Sequence, residues 1–225
     1  MSRIARLFLC IVPLSLLSIP VHATDGVVLI NQATVLASGG FPYTITQPGS
    51  YRLSGDLVAT AGADAIDINA SNVTLDLNGF AIIGPASVPQ KNAVSTNTDT
   101  PIYGVSVRNG NIFNFFTAIY LGNCSVCSVQ QVLISGCYDG INVQGSAAFI
   151  SGNVIGITET GIRAPYSSTV SGNTVFGNLA NQGGLAVGIY AQCPVNLLGN
   201  TALNNFLGNI VQVGSGCNLA NNLAP

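Results

Sequence analysis

Beyond residue 23 the chain has no histidine, no methionine and no tryptophan, and it carries very little charge. Four basic residues remain there, Arg52, Lys91, Arg108 and Arg163, against eight acidic ones, for a net charge of −4. Without histidine there is no Ser-His-Asp or Cys-His relay and no His-ligated zinc. Four scattered cations cannot neutralise a nucleic-acid backbone or form a polybasic membrane patch. No stretch after residue 23 is long and apolar enough to span a bilayer. What remains is a surface of Asn, Ser, Thr, Gln and Gly. Such a surface suits neutral polyhydroxylated ligands, and it equally suits an inert solvated stalk.

The first 23 residues read as a signal peptide. Arg3 and Arg6 form a basic start, Leu7 to Ile19 an apolar run, and Val21-His22-Ala23 a small-residue cleavage site. Cleavage near Ala23 predicts a secreted protein, extracellular or periplasmic; a retained anchor is the alternative. Five cysteines follow, Cys124, Cys127, Cys137, Cys193 and Cys217. That compartment permits disulfides, but an odd number leaves at least one thiol free or paired between chains. Cys124-x-x-Cys127 has redox or metal spacing, yet no second pair completes a metal site, so packing or a structural bridge is the default. Cys193 and Cys217 are expected on neighbouring turns, with an offset that makes a bond between them marginal.

An eight-residue unit organises the chain. It appears at 146–153, 166–173, 193–200 and 215–222, with a weaker copy at 125–132. Its fifth position is always aliphatic (Val129, Ile150, Val170, Leu197, Leu219), and its eighth is Asn153, Asn173, Asn200 or Asn222 in four of five copies. Spacings of 20 to 27 residues indicate a solenoid. A second column runs through Ile66, Ile119, Ile141, Ile162, Ile189 and Ile210, and a third through Ile134, Ile155, Val175 and Ala202. Three short apolar strands per turn, without helical periodicity, predict an all-β, single-stranded right-handed parallel β-helix of about seven coils. The rival leucine-rich repeat lacks its fixed leucine block. The expected parts are a signal peptide at 1–23, an N-terminal cap with entry strands at 24–64, and β-helix repeats at 65–225. Residues 84–101 are expected as an exposed loop, and residues 178–187 as another. The eighth-position asparagines are expected to stack at a corner as an Asn ladder, since Asn tolerates the left-handed backbone a corner needs.

The entry segment Tyr43 to Leu53, the opening coils Val73 to Gly79 and Val107 to Gly110, and the Ser-Gly-Asn repeats ending at Asn153 and Asn173 resemble the pectate-lyase-like superfamily of secreted right-handed β-helix proteins. The resemblance covers roughly residues 41–224. It implies the fold and, for the enzymes of that superfamily, cleavage or epimerisation of polysaccharides by clustered acids, with Ca²⁺ and an Arg or Lys base in the lyases. No run in this chain matches a particular enzyme's catalytic motif.

The most suggestive cluster lies around the Gly-Ile column. Asp139 precedes Gly140-Ile141, and Glu159 lies two before Gly161-Ile162. Arg163 follows Ile162 and points outward by strand alternation. Tyr120, Asn142 and Tyr190 hold the same outward position on adjacent turns. Asp139, Glu159 and Arg163 are therefore candidate catalytic residues, and Tyr120, Asn142 and Tyr190 candidate ligand contacts. Carboxylates about 5–9 Å apart would fall in the range of glycosidase pairs. No cofactor is called for, and no metal site is assigned, although Ca²⁺ could bridge such acids. The competing reading is an Arg163–Glu159 ion pair on a solvated turn. Asp64, Asp67 and Asp76 form a second acidic set that could hold a metal, with Asp67 expected to face solvent.

Two functions follow. One is a protein that binds, or processes as a polysaccharide lyase or glycoside hydrolase, an extracellular polysaccharide or cell-surface glycan. The other is a non-catalytic extracellular structural or adhesin-type repeat protein. No nucleic-acid partner is expected, and no membrane association after signal cleavage. Weak self-association through the C-terminal coil is expected from its open strand edges.

Overall fold

The computed structural model describes residues 26–85, 91–96, 99–156, 158–178 and 186–225. The expected leader at 1–23 and most of the expected 178–187 loop lie outside them. The described chain is a parallel β-solenoid of about eight turns. One sheet follows the octets through Val27–Ile30, Gly49–Leu53, Val73–Asp76, Ser106–Phe113, Ser128–Ser135, Phe149–Ser151, Ser168–Ser171, Val195–Leu198 and Asn218–Ala220. Short strands such as Val154–Gly156, Thr174–Phe176 and Thr201–Leu203 continue it around a bend. A second sheet follows the isoleucine column through Tyr43–Ile45, Ile66–Ile68, Asn92–Thr96, Thr117–Ser125, Asp139–Ser146, Thr160–Ala164, Val187–Gln192 and Gly208–Val213.

The period-two pattern becomes a packed core because like residues stack. Tyr51, Leu75, Val107, Val129, Ile150, Val170, Leu197 and Leu219 are paired in unbroken register. Tyr51 supplies the turn beyond the seven expected from sequence. It went uncounted because an aromatic residue between a Gly-Ser turn and Arg52 does not look like the later octets. In the second sheet Ile66, Val94, Ile119, Ile141, Ile162, Ile189 and Ile210 form one column. Val94 corrects the reading of 84–101 as an exposed loop, since Asn92–Thr96 is a strand with Ala93, Val94, Ser95 and Thr96 all buried. The small polar Ser95 and Thr96 hid it from a hydrophobicity count. Another difference is the one helix among the described residues, Gln32–Ala37, capped by Asn31 and Thr34 and burying Val35.

The corners depart from expectation in one respect. The left-handed residue is the seventh of the octet, Gly152 (φ 65°), Gly172 (φ 62°), Gly199 (φ 62°) or Asn221 (φ 56°). The eighth residue has another task. Asn153, Asn173 and Asn200 are buried, and each donates from its side-chain nitrogen to the side-chain oxygen of the Asn one turn on, at 2.9, 3.0 and 2.9 Å. The same oxygens accept the preceding Asn's backbone N–H. Glycine is required at Gly161 for a different reason, close approach of turns. A Cβ there would sit 2.6 Å from the Gly188 carbonyl oxygen.

Two disulfides form. Cys193–Cys217, with Cα atoms 4.9 Å apart, ties consecutive turns, and Cys124–Cys127 closes a local bridge. Cys137 is free and buried; burial pushes its thiol pKa up to about 12, which makes it unreactive. No helix among the described residues is long and apolar enough to cross a membrane.

Candidate functional site

Strand alternation sends every second residue of the second sheet outward. Thr44, Asp67, Ser95, Tyr120, Asn142, Arg163, Tyr190 and Val211 are paired in succession to form one such column. A groove of about 340 Å³ opens along its later turns, lined by Asn142, Gln144, Arg163, Tyr190 and Gln192. That volume is in the range of ligand clefts, about 300–1,000 Å³. The Tyr120 hydroxyl donates to the Gln144 side-chain oxygen at 3.2 Å and holds that amide against the sheet. Gln144 and Gln192 were not singled out in the sequence. They lie two residues beyond Asn142 and Tyr190, so period two alone could have found them.

The acids behave differently from the residues facing the groove. Asp139 is opposite Thr160, which places Glu159 beside Tyr138 and not above Asp139. Asp139 is 7% exposed and Glu159 3%. The solvated-turn reading is thus corrected in both its parts. The acids are buried, and the partner of Arg163 is Asp139, with Nε 3.7 Å from Oδ2. Arg163 also donates from Nη2 to the Thr160 hydroxyl at 3.2 Å. Burial raises the Asp139 pKa, opposed by the Arg163 charge and the Thr160 hydroxyl and reinforced by Glu159. Tyr138 donates its hydroxyl to Glu159, and that bond, with burial and the nearby carboxylates, pushes the phenol up to about 12. Its ring stacks on Phe116 with centroids 4.6 Å apart and planes 8° from parallel. Each ring covers one face of the other, while Phe116 stays substantially exposed.

Asp64 and Asp67 meet at the start of the same column, while Asp76 pairs with Arg108 on the other sheet at 3.4 Å. Among the described residues, no three Asp, Glu, His or Cys side chains are grouped to hold a metal. Asp64 accepts from the Asn92 backbone N–H at 2.9 Å, the Asn92 side chain at 3.2 Å and the buried Ser95 hydroxyl at 2.9 Å. The Ser95 oxygen also contacts Asp67. One hydroxyl has one proton, so it cannot donate to both carboxylates. The two carboxylates therefore compete for the single Ser95 proton. Burial, together with Asp64, raises the Asp67 pKa, against the Ser95 bond and Lys91.

A raised folded-state pKa means the fold favours the protonated acid. That stability is fully present below the unfolded pKa of about 4 and is lost as pH climbs through the folded value. Asp67→Asn, which mimics the neutral acid, is expected to lose less stability than the wild type between about pH 4 and neutrality. Urea unfolding across that range checks it, and parallel curves for the two proteins would show that Asp67 titrates normally.

Compared with known families and with curated proteins, the chain matches no family profile and no curated sequence.

Proposed function

We propose that this is an extracellular carbohydrate-binding β-helix that lays a polysaccharide across the outward column of its second sheet. The observation that carries the reading is the alignment of Tyr120, Asn142, Arg163 and Tyr190 on consecutive turns beside a groove edged by Gln144 and Gln192. Amides, phenols and one guanidinium provide donors and acceptors at the spacing of stacked strands, about 4.8 Å. Sugar hydroxyls can use them without a charged ligand atom. The resemblance to the pectate-lyase-like superfamily points the same way, as do the two disulfides and the leader-like start.

Binding is favoured over processing. Asp139 and Glu159 are buried and engaged by Arg163 and Tyr138, which takes them away from a scissile bond on the surface. Residues 24–225 screened against a polysaccharide array should bind at least one polymer. Asn142→Ala and Tyr190→Ala should each weaken that binding about tenfold, with no turnover detected. Absence of binding, or binding indifferent to both changes, would leave the stalk reading in place. Product formation abolished by Asp139→Asn would instead restore catalysis.

A further inference from the structure

Among the described residues Arg163 is the one charged side chain lining the groove, and on its own it would invite an anionic ligand. Its surroundings argue otherwise. Behind it, buried Asp139 faces its Nε at 3.7 Å, and Glu159 lies in the same buried group. From Ala164 to the end of the sequence there is no Asp, Glu, Lys, Arg or His, so no second cation reinforces Arg163 from the following turns. On the preceding side the strand opposite supplies Asn142 and Gln144, both uncharged. An approaching carboxylate or sulfate would meet one guanidinium already compensated by a carboxylate, on a chain with a net negative charge.

Hydrogen-bonding capacity is nevertheless left over. Nη2 of Arg163 donates to Thr160, and Nε is buried against Asp139 without a hydrogen-bond acceptor, so what a ligand can use lies at the exposed end of the guanidinium. The side chain is 30% exposed, so part of its fork of five donors is available to an uncharged acceptor such as a hydroxyl or ring oxygen.

We propose that the groove selects an uncharged polysaccharide, with Asp139 as the positioning residue that cancels the charge of Arg163 and leaves it to act as a hydrogen-bond donor. This rests on the carbohydrate-binding reading and narrows it. A ligand rich in hydroxyls fits the amides of Asn142, Gln144 and Gln192 and the phenol of Tyr190. None of the four offers a polyanion a positive charge.

The test uses polymer pairs that share a backbone and differ in charge: hydroxyethylcellulose with carboxymethylcellulose, and dextran with dextran sulfate. Each is run by affinity electrophoresis at low and at physiological salt. The wild type should be retarded by a neutral member and not by its anionic partner. Asp139→Asn uncovers the guanidinium, so its affinity for the anionic member should rise on the order of tenfold at low salt and fall again as salt is added. A wild type that prefers the anionic member overturns the inference but keeps the carbohydrate reading. An unchanged anionic-to-neutral ratio in a folded Asp139→Asn overturns the role of Asp139. Failure of the wild type to bind any polymer, neutral or anionic, here or on the array, removes both. The wild-type ratio needs no variant, so the inference is decided even if Asp139→Asn does not fold.

Discussion

Asn173→Leu is expected to destabilise the protein by about 3–5 kcal/mol, from at least two buried polar groups left without partners at roughly 1–3 kcal/mol each. Asn173 occupies the middle of the stacked asparagines. Its side-chain oxygen accepts from the backbone and side chain of Asn153, and its nitrogen donates to the Ile150 carbonyl and to Asn200. Leucine can fill the volume but replaces none of these bonds, and no water reaches a fully buried site to substitute. Asn173→Asp should also destabilise, since it loses the donor and turns a charged oxygen toward the Asn200 oxygen. Asn196→Leu is the control. Asn196 is exposed on the sheet's outer face, and its replacement should stay within about 0.5 kcal/mol. Urea unfolding followed by the strand signal in circular dichroism gives the three numbers. An Asn173→Leu curve superimposed on that of Asn196→Leu would show that the buried amides contribute little.

Ile150→Asp should have the larger effect, above about 4 kcal/mol, because an unpaired carboxylate would sit inside a column of aliphatic side chains. Ile150 is fully buried between Val129 on one turn and Val170 on the next. Typical domain stabilities of about 5–15 kcal/mol leave little margin for such a loss, so the variant is expected to be insoluble or to unfold without a cooperative transition. Its chain neighbour provides the comparison. Phe149 points outward and is substantially exposed, so Phe149→Asp should remain folded. A soluble, cooperatively unfolding Ile150→Asp with near wild-type stability would contradict the inward direction of the octet's fifth residue.

The aliphatic columns were legible because a solenoid repeats one environment many times. Ser-Gly-Asn aligns Ile150 with Val170, and the Gly-Ile dipeptides do the same for Ile141, Ile162 and Ile189. The alignment of Tyr120, Asn142, Arg163 and Tyr190 on one face follows directly from that column. Legibility stopped where partners depend on register to a single residue. Glu159 and Asp139 stand one place apart relative to their glycines, and only the pairing of Asp139 with Thr160 decides which acid meets Arg163. Glu159 is buried beside Tyr138, a neighbour across turns with no sequence signature. Ser95 and Thr96 fill an outward and an inward place with polar atoms that hydrophobic patterning reads as loop.

The stacked asparagines give the molecule an electrical direction. Backbone bonds between turns alternate: Thr169 N–H points back to Ala148, while Gly152 N–H points forward to Ser171. Their dipoles largely cancel. The side-chain amide oxygens do not alternate: those of Asn153, Asn173, Asn200 and Asn222 all accept from the turn before, while the nitrogens of the first three donate both onward to the next Asn and back to a backbone carbonyl, and that of Asn222 donates back to Leu197. Asn205 donates to Asn209 in the same sense, and Asn178 Oδ1 accepts from Thr158 of the turn before. An amide dipole is about 3.5 D, and aligned amides polarise one another. In a chain so poor in ions, these two columns turn their side-chain oxygens uniformly toward the early turns, an axial asymmetry that owes nothing to titratable groups.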